Sequence, residues 1–366
     1  MIFIGGVDTQ HHGFYVKSFG LTKEEWKELE LFKGLARESG MFRSDGIPLT
    51  FRGFNFRILA KGAKTYSYIL VSDDMTVKLA KRPSNKMFPE VFVEFRSQLL
   101  WRYGHVEAFR FVSNWIRSWA WGFDDVISRG DLCVDLSGQH QVEIEHVVSR
   151  ARKVKEYFEV EPVTNMEHYY FNKKRTGITI GSGNCLMRIY DKTVEVKKSD
   201  KGWFHDLWKE KGWDGESTVT RVEFQLRREF FKSFGITTYE QFLEKMGDIY
   251  SYLADDWISV RKPNDDVNRS RWPVSELWQD VQGGSSQFGV KHGNLTKRQI
   301  NEAKLERLLP QAVGSYTSAI SLMKTGNNEE FAEAASRLLA KKGTTLEEAV
   351  EAKRKLRGML GSPDSD

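Results

Sequence analysis

The stretch Gly177-Ile178-Thr179-Ile180-Gly181-Ser182-Gly183-Asn184-Cys185-Leu186-Met187-Arg188-Ile189-Tyr190-Asp191-Lys192 reads as two strands joined by a turn. Ser182-Gly183-Asn184 supplies residues that tolerate the positive φ of a tight hairpin, and apolar residues alternate on either side. In that alternation Arg188, Tyr190 and Lys192 share one face, while Met187, Ile189 and Asp191 share the other. Two cations then flank a phenol whose ordinary pKa is about 10, an arrangement that favours phenolate and holds a phosphate nearby. A solvent-facing polar stripe is the plainer reading of the same pattern.

Further strands are expected on both sides of the hairpin: Val126 to Leu136, a segment at Tyr169-Tyr170-Phe171, and Val219 to Leu226. Helices are expected over Val142 to Phe158 and Tyr239 to Leu253. Upstream, Met1 to Val7 reads as a first strand without the basic start of a signal peptide, and His11-His12 as turn-like. A polar segment from Lys17 to Asp45 follows. Then come a strand at Phe51 to Arg57, a hairpin from Tyr66 to Ala80, a strand at Val91 to Phe95 and a helix from His105 to Trp119. The class is therefore α+β, an antiparallel-sheet core with helices on one face.

Residues of about 50–120 and 126–255 share a weak hairpin-strand-helix order, with Val93-Glu94-Phe95 matching Val222-Glu223-Phe224, which reads either as an internal duplication or as chance agreement of short strands. In this register Ala80 stands where Tyr190 does. From Trp257 the chain turns polar and basic, with Arg261, Arg269 and Arg271 in a proline-punctuated stretch. A boundary near Gly283 gives a body over 1–282. A tail over 292–366 reads as helices interrupted at Pro310, with a capping box at Thr345-Leu346-Glu347-Glu348.

The 366 residues carry 40% hydrophobic and 13% aromatic side chains and a net charge of +5. These values suit a globular cytoplasmic protein that can meet nucleic acid. No apolar run approaches the ~18 residues of a membrane span. Cys133 and Cys185 are too few for a disulfide framework and read as buried strand residues. A Walker-type phosphate loop is lacking, as is a His-hydrophobic-His pair.

Asp131 and Asp135 fall on one strand face with Cys133, and like charges so placed call for a cation nearby. Four strand residues separate them by about 13 Å, too far for one ion to be held by both. Asp131 is the preferred ligand, and Asp135 equally suits a turn cap. Glu94 and Glu223, each between Val and Phe, read either as ligands or as cross-strand partners of an arginine. A phenol, carboxylates for Mg²⁺ or Mn²⁺, and cations for phosphate make up the inventory of a metal-dependent tyrosine nuclease.

Phe92-Val93-Glu94-Phe95, Arg129-Gly130-Asp131-Leu132-Cys133-Val134-Asp135, Arg188-Ile189-Tyr190-Asp191-Lys192 with Glu195, and Arg221-Val222-Glu223-Phe224 with Arg227 together resemble the trans-acting replication-initiation factor family. These are the rolling-circle initiators of plasmids and filamentous phages and the related nicking proteins of conjugative elements. Asn268-Arg269-Ser270-Arg271-Trp272-Pro273 resembles that family's closing segment. The resemblance implies site- and strand-specific nicking, with Tyr190 as nucleophile between Arg188 and Lys192. Glu94, Asp131 and Glu223 would surround the metal, and Arg221, Arg227, Arg261, Arg269 and Arg271 would meet DNA. The implied partners are an origin duplex or hairpin, its single-stranded nick site, a host helicase and a second copy of the chain. The alternative is a non-catalytic DNA-binding regulator of the same fold. Gly130 departs from the expected apolar β-branched residue.

Overall fold

The computed structural model describes residues 2–39, 46–81, 88–138, 140–151, 153–160, 173–199, 201–293, 295, 297–323 and 327–356. The expected strand at Tyr169-Tyr170-Phe171 lies outside the described residues. The chain divides into two units, Met1–Ile300 and Asn301–Asp366.

The first unit opens with β1 (Ile2–Phe19), α1 (Lys23–Glu38), β2 (Ile47–Phe51), β3 (Phe54–Ile58), β4 (Tyr68–Val71), β5 (Met75–Leu79) and β6 (Val91–Phe95). It continues with α2 (Ser97–Tyr103), α3 (His105–Arg117), β7 (Ala120–Ser137), β8 (Val147–Ser149), β9 (Val154–Val160), β10 (Lys173–Ser182) and β11 (Cys185–Asp191). Then come α4 (Lys192–Ser199), α5 (Trp203–Lys209), β12 (Val219–Arg227), α6 (Arg228–Ser233), α7 (Tyr239–Ser251), β13 (Ile258–Val260) and α8 (Glu276–Gly283).

Among the described residues, eleven strands form one sheet in the order β2-β3-β4-β5-β6-β1-β7-β12-β11-β10-β9, and β8 pairs with β13 separately. The two 18-residue strands β1 and β7 lie side by side at its centre, antiparallel. Outward from each, the strands follow in reverse chain order. Alternation gives the sheet two unlike faces. Leu132, Val134, Val222, Phe224, Met187 and Ile189 enter a buried core with Phe231, Phe242, Ile249, Tyr250 and Trp278. Arg129, Asp131, Arg188, Glu223 and Gln225 stand on the other face.

That polar face is not bare. Phe204, Trp208 and Trp213, on and after α5, build a second small core with Val196 of α4, against which Trp101 of α2 packs. Helices therefore do not keep to one face, as alternation alone suggested. Gly130 has a packing reason: a Cβ there would lie 3.3 Å from the rings of both Phe231 and Phe242, so glycine lets α6 and α7 close on β7.

Other expectations need correction. His11-His12 lies in the middle of β1, not in a turn, and the strand extends to Phe19. The segment Lys17 to Asp45 holds α1, capped reciprocally by Thr22 and Glu25. The helix expected over Val142 to Phe158 is a short 3₁₀ turn followed by β8 and β9, because both segments find strand partners. The strand registers set Thr76 opposite Glu94 and Arg188 opposite Glu223, so a superposition of the two glutamates would put Lys78, not Ala80, at the place of Tyr190. The first unit also continues past Gly283: Phe288 is buried and stacks on Tyr250 at 4.2 Å, and Asp248 accepts from the His292 and Gly293 amides.

The remaining helices are α9 (Lys297–Ser321), α10 (Asn328–Lys341) and α11 (Leu346–Leu356). Pro310 sits inside α9 without interrupting it. Thr345 and Glu348 cap α11 reciprocally, at 3.2 and 2.9 Å. None of the described side chains beyond residue 300 is buried. No helix among the described residues is long and apolar enough to cross a membrane.

Candidate active site

Tyr190, the penultimate residue of β11, lines a cleft of about 510 Å³ with Asp8, Arg129, Asp131, Arg188, Lys192, Glu195 and Glu223. Room for the phenol comes from across the hairpin. Gly177 pairs with Tyr190, and a Cβ on it would lie 2.8 Å from the tyrosine Cβ. The hydroxyl donates to Glu223 Oε2 at 3.0 Å.

Glu223 is also held by Arg188, whose Nη1 donates to Oε1 at 2.8 Å. The other Arg188 nitrogen donates to Gln225 Oε1 at 2.9 Å, and Arg129 donates to the same oxygen at 3.0 Å. Arg129 in turn clasps Asp131 with two nitrogens, Nε lying 2.8 Å from Oδ1. One chain of hydrogen bonds thus runs Asp131, Arg129, Gln225, Arg188, Glu223, Tyr190 across three strands. Arg129 and Gln225 are the members that the sequence reading left without a role, although Arg129 shares a strand face with Asp131 and Gln225 alternates with Arg221 and Glu223 on β12.

A second network underlies the first. Fully buried Arg221 donates to both oxygens of Asp135, one at 2.7 Å, and to Asp8 at 2.6 Å. Trp208 and Trp101 bond the same two acids at 2.9 and 2.8 Å. Burial opposes ionisation of Asp8, but Arg221 and Lys192 override it and hold the carboxyl well below its usual range. Arg221 therefore ties β1, β7 and β12 together and is not free to meet DNA. Asp135 is part of this buried pair and caps no turn.

Lys192 begins α4 instead of extending the strand face. Its ammonium pairs with Glu195 at 2.5 Å and lies over the rings of Phe204 and Tyr190, 4.6 and 5.8 Å from their centroids. Both expected phosphate-holding cations are thus paired with glutamates. Burial, followed by Glu223, pushes the Tyr190 pKa well above its ordinary value. The expected phenolate is overturned: the phenol is held protonated against a carboxylate acceptor.

The three acids expected around a metal are divided. Glu94 pairs with Lys78 and lines a different cleft, whereas Asp131 and Glu223 share the Tyr190 cleft. Burial raises the Asp131 pKa to about 7 against its bonds to Arg129, and Glu223 adds to the rise. Among the described residues no three His, Cys, Asp or Glu side chains converge as a ligand set. Two oxygen-donor side chains still suit Mg²⁺ or Mn²⁺, since Mg²⁺ is commonly held by one or two carboxylates and completed by water and substrate phosphate.

The basic residues after Trp257 lie elsewhere. Arg261 donates to the Trp272 carbonyl at 3.0 Å and Arg269 to the Glu145 carbonyl at 2.9 Å, bonds that fasten the loop around β13. Arg271 is exposed, 3.7 Å from Asp266. Cys133 and Cys185 are free thiols, raised in pKa by burial.

No protein-family model matches the sequence, and no curated protein matches it. Among solved structures, the rolling circle replication initiator protein from Geobacillus stearothermophilus is similar at 17% identity and a TM-score of 0.43, over 77% of this chain and 96% of that one.

Proposed function

We propose that this chain initiates rolling-circle replication by nicking one DNA strand with Tyr190 and later rejoining it. The observation that carries the reading is the hydroxyl of Tyr190 bonded to Glu223 inside a cleft that also holds Arg129 and Arg188. A phenol kept protonated is a poor nucleophile alone, and a carboxylate 3.0 Å away is placed to take its proton as it attacks. Tyr190 Oη bonds to phosphorus, the bond from phosphorus to the 3′ oxygen breaks, and that oxygen takes a proton from water. Rejoining reverses these steps.

Arg188 and Arg129 sit where a phosphate would compete with Glu223 and Asp131 for their guanidinium groups, so DNA binding frees a carboxylate as it engages an arginine. Lys192 fixes the ring from below. Asp131 and Glu223 would hold Mg²⁺ or Mn²⁺, which when bound neutralises charge on the phosphate. The sequence blocks around these residues support the rolling-circle assignment. The mirrored strand order about β1 and β7 supports descent from a duplicated hairpin-strand-helix unit, of which one copy keeps the tyrosine.

The test is an origin oligonucleotide incubated with the protein and Mg²⁺ or Mn²⁺. Wild type should give a protein-DNA adduct that survives denaturation. Tyr190→Phe should give none while binding the same DNA within about twofold, because little volume and no charge is lost. Adduct formation by the Phe variant would move the nucleophile away from Tyr190.

A further inference from the structure

A second cleft, of about 620 Å³, opens on the polar face of the sheet. Its floor is a row of residues facing one another across four strands: Glu94 on β6, His11 on β1, Arg129 on β7 and Arg227 on β12. Arg129 lines this cleft and the Tyr190 cleft alike. The two clefts therefore meet at one guanidinium.

The lining combines two kinds of group. Lys64, Lys78, Arg129, Arg227 and Arg228 face only two carboxylates, Glu94 and Glu229. Lys78 is engaged by Glu94 and Arg129 by Asp131, whereas among the described residues Lys64, Arg227 and Arg228 have no carboxylate partner. Beside these cations stand half-buried Tyr66 and Phe92, their ring centroids 6.0 Å apart, with His11 edge-on to Phe92 at 5.9 Å. His11 stays neutral: burial first, then Arg129, Lys78 and Arg227, lowers its pKa to about 3.

Aromatic faces interleaved with unpaired cations in a groove match the needs of an unpaired nucleic-acid strand, whose bases stack while its phosphates seek positive charge. A small anion would leave the aromatic wall unused. We propose that this cleft holds unpaired nucleotides of the DNA strand whose scissile phosphate lies at Tyr190. Their bases lie against Tyr66 and Phe92, and their phosphates on Lys64, Arg227 and Arg228. The identity of the strand rests on the nicking reading above; the cleft's chemistry does not.

The test uses the full chain carrying Tyr190→Phe, titrated with a fluorescein-labelled oligothymidylate of about 12 nucleotides, within the range of ordinary single-strand sites. Adding Tyr66→Ala should weaken binding about tenfold, the loss expected for one stacked base. Adding Arg228→Ala should weaken binding and also reduce the slope of log K against log salt by about 0.7. Lys27→Ala, an exposed lysine on α1, is the control and should change neither. With 5-iodo-deoxyuridine in the oligonucleotide, photo-crosslinks should map to Tyr66, Phe92 or His11. Cleft variants that bind like the control, or crosslinks confined to other residues, overturn the inference. Adduct formation by the protein with Tyr190 intact is scored separately. Its absence, beside weakened binding by the cleft variants, sinks the nicking reading and leaves this cleft as a single-strand site.

Discussion

Glu223 accepts from Arg188 and from Tyr190; in the proposed mechanism it also receives the Tyr190 proton, and a glutamine in its place would keep the shape but lose the base. Glu223→Gln should lower the rate of adduct formation by about 10² to 10⁴, the usual range for a positioned general base, with little change in Tm. An unchanged rate across metal concentrations would return Glu223 to a structural role. Asp135→Asn is expected to act in the opposite sense, on stability. It leaves the fully buried Arg221 with Asp8 as its one remaining ionised partner, a loss of up to about 3–5 kcal/mol that denaturant titration would detect. Alternation made Arg188 and Tyr190 legible in the sequence as sharing one strand face, and it singled out Asp131 and Glu223 as polar residues on otherwise apolar strands. It could not tell which base meets which acid. That choice is made by register between strands far apart in the chain, so Arg221 read as a DNA contact although Asp135 and Asp8 enclose it.

At the scale of elements, strands with strict alternation, such as β11 and β12, were legible, as were helices with a clear apolar stripe, such as α3 and α7. The middle of β1 was not, because polar residues there face both ways: His11 towards the cleft and His12 into the core. The His12 ring is buried against Phe109 of α3 and Tyr239 of α7, at 4.8 and 5.6 Å. Burial, and then His11, lowers its pKa from 6.5 to about 3. Since the folded value lies below the unfolded one, the unfolded chain takes up the proton first. Stability is complete above about pH 6.5 and is lost as pH falls towards about 3, by up to about 1.4 kcal/mol per pH unit for this group. His105, lowered to about 4 by burial, acts in the same direction. Melting curves between about pH 8 and about pH 5 should show the decline, and His12→Asn should flatten it. A wild-type Tm constant over that range would contradict the burial of a neutral ring.

For the whole molecule, the division at Ile300 and the packing of Phe288 on Tyr250 define where the chain can be cut. A protein ending after residue 296 should fold and still form the adduct on a short single strand. One ending at Val281 removes Phe288 and the backbone donors to Asp248. It should be less stable by about 3–5 kcal/mol, the cost of deleting a buried phenylalanine. Equal stability of the two truncations would show that residues after Val281 contribute nothing to the first unit. The placement of β1 and β7 at the centre of the sheet also sets a timetable for synthesis. β1 emerges before every other described strand of the sheet, yet its second neighbour is completed only at Ser137. Until then a nascent chain presents up to 18 residues of open strand edge, a surface on which other chains can assemble. The strand on which both halves of the finished sheet are built is thus also the one that, among the described strands, waits longest for its second partner.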